Sequence, residues 1–126
     1  MKSTTAFRIA AVAGFLGVVL GAMGAHGGVH DLLEQRKTVE IWKTASIYHL
    51  VHAGVLLFLA TLRPLPKLPW ILILSGVILF SGSLYLLAVL DARWVGPVTP
   101  LGGLLLLSGW LGLVFKPAPN IDSSNS

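Results

Sequence analysis

His49 and His52 are the side chains with the widest chemical range in this sequence. They stand three apart, so on a helix they share a face, and both lie in an uncharged run over residues 44–62, with His52 near its middle. If that run crosses a membrane, an imidazole at such depth is costly and faces the bundle interior, which makes it a functional suspect. His26 and His30 close an earlier apolar stretch. Tyr48 and Tyr85 add hydroxyls, and Ser75, Ser81, Ser83 and Ser108 add further donors within apolar runs.

Three chemistries fit this set. Neutral histidines can bond to serines or backbone carbonyls of neighbouring helices, each bond contributing about 0.6 to 2 kcal/mol. They can carry protons or ions, since imidazole titrates near neutral pH, although no Asp or Glu lies within the apolar runs to complete a relay. They can also hold haem or a metal. A pair at i, i+3 can share a metal, but the carboxylates and Glu-x-x-His pattern of di-iron bundles are missing, and two haem ligands would have to come from facing helices. No cofactor is assigned. Ser81-Gly82-Ser83 lacks an intramembrane acid and the Gly-x-Ser-x-Gly setting of a nucleophile. Gly96-Pro97-Val98-Thr99-Pro100-Leu101-Gly102-Gly103 has the glycines of a phosphate loop but no following Lys, so it reads as a turn and a capped helix start. That start could hold an anion or a buried hydroxyl.

The elements that must position these groups follow from the charge pattern. The chain is 55% hydrophobic and 11% charged, against about a quarter charged in soluble domains. Uncharged runs cover residues 9–30, 44–62, 68–90 and 94–115, each near the roughly 20 residues that cross a bilayer core. They predict four transmembrane helices over about 7–26, 42–62, 70–90 and 99–115, forming one domain over residues 1–116, followed by a disordered polar tail over 117–126. Trp42 and Lys43 mark the entry of the second span as a belt aromatic and a snorkelling cation. Three prolines at Pro64, Pro66 and Pro69 make the next connection a stiff, non-helical turn. Thr99 suits the N-cap of the fourth span, with Pro100 as its first helical residue. Residues 27–43 form a polar connection at the interface, with a solvated helical turn supported by Glu34 with Lys37, Arg36 with Glu40 and Glu40 with Lys43.

Small residues mark the expected helix contacts. Ala13, Gly17, Gly21 and Ala25 recur every fourth position in the first span, flanked by Gly14 and Gly24, which leaves a groove for close backbone approach. Gly102, Gly103 and Gly109 give the fourth span a similar face, and Ser81, Gly82 and Ser83 let the third span approach the first.

The formal net charge is +4, yet the nine Lys and Arg sit at span ends and form no basic stripe, so nucleic-acid binding is not expected. With no cysteine, disulfides, thiolate metal sites and a cysteine nucleophile are excluded. The first span exceeds a signal-peptide core and its glycine groove would serve nothing in a discarded peptide, so it is read as retained. Lys2, Arg8, Arg63, Lys67 and Lys116 share one side of the membrane, against Arg36, Lys37, Lys43 and Arg93 on the other, which puts both termini in the cytoplasm.

Five blocks carry a resemblance: Gly21-Ala22-Met23-Gly24-Ala25-His26-Gly27, Tyr48-His49-Leu50-Val51-His52-Ala53, Phe80-Ser81-Gly82-Ser83-Leu84-Tyr85-Leu86-Leu87-Ala88, Pro97-Val98-Thr99-Pro100-Leu101-Gly102-Gly103 and Gly109-Trp110. In this order, across about residues 7 to 115, the chain resembles domain of unknown function 423, the YgdD-like small inner-membrane proteins, to which eukaryotic transmembrane protein 256 is similar. The resemblance implies a four-helix protein of the bacterial inner membrane with no established activity. The family's histidines fall on His26 and His52, and the place of His49 can be glutamine, which weakens any metal site needing both His49 and His52.

The expected protein is therefore all-α: an up-down bundle of four transmembrane helices with an interfacial helix between the first two. Its expected role is that of a non-enzymatic structural or accessory component. A polar cluster of His26, His49, His52, Ser81, Ser83, Tyr85 and Thr99 would fix packing or a site for a membrane partner or a second copy. A small oligomeric transporter or channel, and a haem- or metal-binding redox component, are the alternatives.

Overall fold

The computed structural model describes residues 1–119. Five α-helices follow in order: α1 (Ser3–Ala25), α2 (Gly27–Arg36), α3 (Val39–Ala60), α4 (Lys67–Leu90) and α5 (Val98–Val114), with a 3-10 turn over Arg93–Val95. The chain is all-α, and four of its helices are long and apolar enough to cross a membrane. Of the expected tail, residues 117–119 are exposed and carry no regular secondary structure, and the remainder lies outside the described residues.

The long helices run up and down and pack as a row, α1 on α3, α3 on α4 and α4 on α5. Helix α2 lies across the end where α1 and α4 stop and α3 begins, touching all three. Its buried Leu33 meets Trp42 and Ala88 there, and Thr38 donates from Oγ1 to the Ala88 carbonyl at 2.8 Å. The α2–α3 bend is made by Lys37, whose φ of 57° ends α2 in the left-handed region while its N–H returns to the Glu34 and Leu33 carbonyls.

Helix starts differ from the expectation in an instructive way. The Pro-rich turn is shorter than three prolines suggested, because α4 begins at Lys67 and takes Pro69 into its first turn. There a missing N–H costs nothing, since first-turn donors have no intrahelical acceptor; the Trp70 N–H makes the bond to the Pro66 carbonyl. Likewise α5 begins at Val98, not Thr99, so Thr99 is inside the helix and does not cap it.

Close backbone approach concentrates between α4 and α5. A Cβ on Gly102 would strike the Phe80 backbone, one on Gly109 would come within 2.5 Å of Ile73, and one on Gly76 within 2.8 Å of Leu106. Gly76 was not singled out in the sequence, where it is an isolated glycine in an apolar run. Between α1 and α3, Gly17 makes room for Leu50 and Gly24 for the Trp42 ring, while Gly14 there, and Gly103 between α5 and α4, sit at ordinary contact distance. Gly21 and Gly82 have no atom within 4 Å of a Cβ position and so form no tight interface. The approach of the third span to the first is thus corrected: the Ser81 to Ser83 segment serves the neighbours of α4 in the row, α3 and α5.

Candidate functional site

The buried polar side chains make several separate hydrogen-bonded contacts between neighbouring helices of the row. His49, 8% exposed on α3, points its Nε2 at the Ala13 carbonyl of α1, 2.8 Å away, and its Nδ1 at the Tyr85 hydroxyl of α4, 3.0 Å away. A carbonyl only accepts, so Nε2 carries the proton; Nδ1 of the neutral ring then accepts the Tyr85 hydroxyl proton. Tyr85 Oη also lies 3.4 Å from Ser46 Oγ.

His52 has the opposite tautomer. Its Nδ1 sits 2.7 Å from the Tyr48 carbonyl one turn back, so Nδ1 carries the proton. The bare Nε2 accepts from Trp110 Nε1 of α5 at 3.0 Å. The Trp110 ring stands edge-on to the imidazole at 75°, and Tyr48 stacks almost parallel to its other side at 8°.

The serines complete the network. Ser81, 1% exposed, donates to the Ala45 carbonyl of α3 at 2.8 Å. Ser83 donates to the Phe80 carbonyl of its own helix at 2.9 Å and lies 2.5 Å from Thr99 Oγ1. Since a hydroxyl has one proton, Thr99 is the donor in the second bond, and this α4–α5 bond is where its side chain goes instead of capping α5. Two indoles do similar work: Trp42 donates to the Leu20 carbonyl of α1 at 2.8 Å, and Trp70 to the Leu56 carbonyl of α3 at 3.1 Å. Trp42 is 5% exposed, so it is a buried strut and not the belt residue its place in the sequence suggested.

Four of these donors, on His49, Ser81, Trp42 and Trp70, end on main-chain carbonyls of a neighbouring helix. Such carbonyls already accept their intrahelical bond and have a second lone pair, so the interhelical bond leaves helix geometry intact. Among the described residues, every buried side-chain nitrogen and oxygen has a partner.

The network joins six of the seven cluster residues expected from the sequence, though through separate contacts: His49 with Tyr85, His52 with Trp110, Ser83 with Thr99, and Ser81 with the α3 backbone. His26 is not among them. It is exposed between α1 and α2, with an extended backbone (φ −141°, ψ 149°) that turns the chain from one helix into the next. The nearby histidine with partners is His30, whose Nδ1 lies 2.9 Å from the Gly24 carbonyl and whose Nε2 lies 3.1 Å from Glu34. Trp110, Ser46 and the indoles of Trp42 and Trp70 were missed. The available signal was physical: an indole N–H at bilayer depth has no water and must find an acceptor.

The arrangement does not fit a metal or haem. All four ring nitrogens of His49 and His52 are engaged, two of them as donors, so a metal bond would break a hydrogen bond and expose an orphaned group in the bundle. Beside the network, Tyr48, His52, Phe80, Leu106, Leu107 and Trp110 line a groove of about 580 Å³ between α3, α4 and α5.

Comparison with known proteins agrees with this architecture. Residues 20–103 match the family described as "Protein of unknown function (DUF423)". The chain is 36% identical over 113 residues to the UPF0382 membrane protein YwdK of Bacillus subtilis, covering 84% of this chain and 89% of that protein. It is 37% identical over 114 residues to a UPF0382 membrane protein of Haemophilus influenzae, covering 85% and 88%. A UPF0382 membrane protein of Schizosaccharomyces pombe is 34% identical over 113 residues, covering 84% and 95%. No solved structure matches the chain. With its four membrane-length helices and this match over most of its length, the chain belongs to the DUF423 family of multi-pass membrane proteins.

Proposed function

We propose that this protein is a non-enzymatic structural or accessory component of the bacterial inner membrane, acting as one transmembrane domain over residues 1–116 with both termini in the cytoplasm. The observation that carries the reading is the saturation of His49 and His52. Each ring uses one nitrogen as donor and the other as acceptor, on partners from α1, α3, α4 and α5. Side chains so engaged hold helices in register, and a metal or a substrate would have to displace one of these partners to reach a ring nitrogen.

The polar network then fixes one rigid arrangement, and the outer faces of the row are left for lipid, a membrane partner or a second copy. Exposed apolar side chains such as Phe15, Val18, Leu107 and Leu111 on α1 and α5 supply those faces. The transporter alternative requires oligomerisation, since four helices in a row enclose no path of their own. Both readings are separated by His52→Ala. A structural role predicts a lower unfolding midpoint in detergent and no ion- or pH-dependent flux from the wild-type protein in liposomes. Unchanged stability with flux that the variant abolishes would reverse the assignment. The orientation is tested with single cysteines in this cysteine-free chain: at position 2 or 116 a membrane-impermeant thiol reagent should label only after the cytoplasmic face is opened, and labelling of intact cells at either position would invert it.

A further inference from the structure

At the end of the bundle opposite α2, a second cavity of about 600 Å³ is enclosed by the end of α3, the turn with Pro64 and Pro66, the end of α5 and the residues 117–119 that follow it. Its walls are apolar, with Phe58, Leu59, Leu62 and Leu113 among them, and its rim holds two cations, Arg63 and Lys116. Arg63 follows α3, which ends at Ala60, and Lys116 follows α5, which ends at Val114, so both lie at the boundary where the apolar spans stop. The cavity opens outward, with Phe58 60% exposed.

The charge around it is one-sided. Asp31 and Glu34 are on α2, Glu40 is in the first turn of α3, and Asp91 follows α4, which places the carboxylates of the described residues at the other end. Among those residues the ion pairs are His30 with Glu34 and Lys43 with Glu40, so neither Arg63 nor Lys116 has an ion-pair partner among the described residues. Two cations without an ion-pair partner among the described residues, at the edge of a carbon-walled pocket, complement an amphiphile with an anionic head and hydrocarbon tails. A planar guanidinium pairs with two phosphate oxygens at once, and an ammonium adds a compact charge beside it.

We propose that this cavity binds an anionic phospholipid of the surrounding bilayer, with the phosphate between Arg63 and Lys116 and the upper acyl chains against Phe58, Leu59, Leu62 and Leu113. The site is distinct from the histidine network and does not depend on which way the protein faces.

Native mass spectrometry of the full chain in mild detergent tests it, with phosphatidylglycerol and phosphatidylcholine of matched acyl chains as probes. Two basic contacts, each worth a factor of about five at a membrane surface, predict a preference of about twenty-five-fold for phosphatidylglycerol. The double variant Arg63→Gln/Lys116→Gln should lose that preference, and Arg36→Gln/Arg93→Gln, with the same charge change at the other end, should keep it. Circular dichroism of each variant establishes that the helices are intact, and the single variant Lys116→Gln should show an intermediate preference. Glycerol 3-phosphate, which has the head but no tails, should fail to displace the lipid. Equal retention of the two lipids by the wild type, equal loss in both double variants, or displacement by glycerol 3-phosphate would each overturn the assignment.

Discussion

Trp110 Nε1 donates to His52 Nε2 across 3.0 Å, joining α5 to α3 between residues 58 positions apart in sequence. Through this bond α5 reaches past α4, its principal neighbour, and grips the interior of the row. It also occupies the acceptor nitrogen of His52, so a metal binding there would have to displace the indole N–H.

Replacing Trp110 with Phe keeps an aromatic ring in the groove and removes the donor together with one ring of the indole. We expect a loss of about 1 kcal/mol in an SDS-unfolding titration, typical of one interhelical bond in a bilayer-like setting. His52→Ala should cost more, since it also removes packing against Tyr48. The double variant should fall short of the sum by about 0.5 to 1.7 kcal/mol, the coupling of the pair. Additive losses would mean that the bond contributes nothing to stability.

The glycines should divide into two groups in the same assay. Gly102→Ala and Gly109→Ala force atoms into Phe80 and Ile73, and overpacking of that kind costs about 1 to 3 kcal/mol. Gly24→Ala should behave alike by displacing Trp42 from the Leu20 carbonyl. In contrast, Gly21→Ala and Gly82→Ala point a methyl into open space and should be neutral or stabilising by up to about 1 kcal/mol.

Much of the fold was legible because a membrane leaves few options. Uncharged runs of span length can only be helices, and their number and spacing dictated an up-down arrangement. The site was legible by residue type and less so by partner. His52 stood out as a mid-span imidazole, but its acceptor role depends on Trp110, which lies on a helix whose place in the row no local pattern reveals. The carbonyls of Ala13, Leu20, Ala45 and Leu56 were invisible, since every residue has one and only packing selects four of them. Gly21 and Gly82 misled for a related reason: a small-residue stripe marks a face that permits close approach, and the neighbour occupies only part of it.

Elemental analysis and an absorption spectrum of protein purified in mild detergent bear on the alternatives. With every ring nitrogen of His49 and His52 engaged, we expect no Soret band and no stoichiometric metal, and added zinc or haem should leave the unfolding midpoint unchanged. A metal or haem signal that disappears in both His49→Gln and His52→Ala would bring the redox reading forward.

The most direct test of the account is the tautomer of each buried histidine, read by nitrogen-15 NMR of histidine-labelled protein in lipid bilayers, with His49→Gln and His52→Gln to assign the signals. The geometry predicts two different rings: His49 protonated at Nε2 with Nδ1 as acceptor, and His52 protonated at Nδ1 with Nε2 as acceptor. Finding both in the same tautomer, or either one with the shifts of a metal-bound ring, would contradict the claim that these histidines are saturated struts of the bundle.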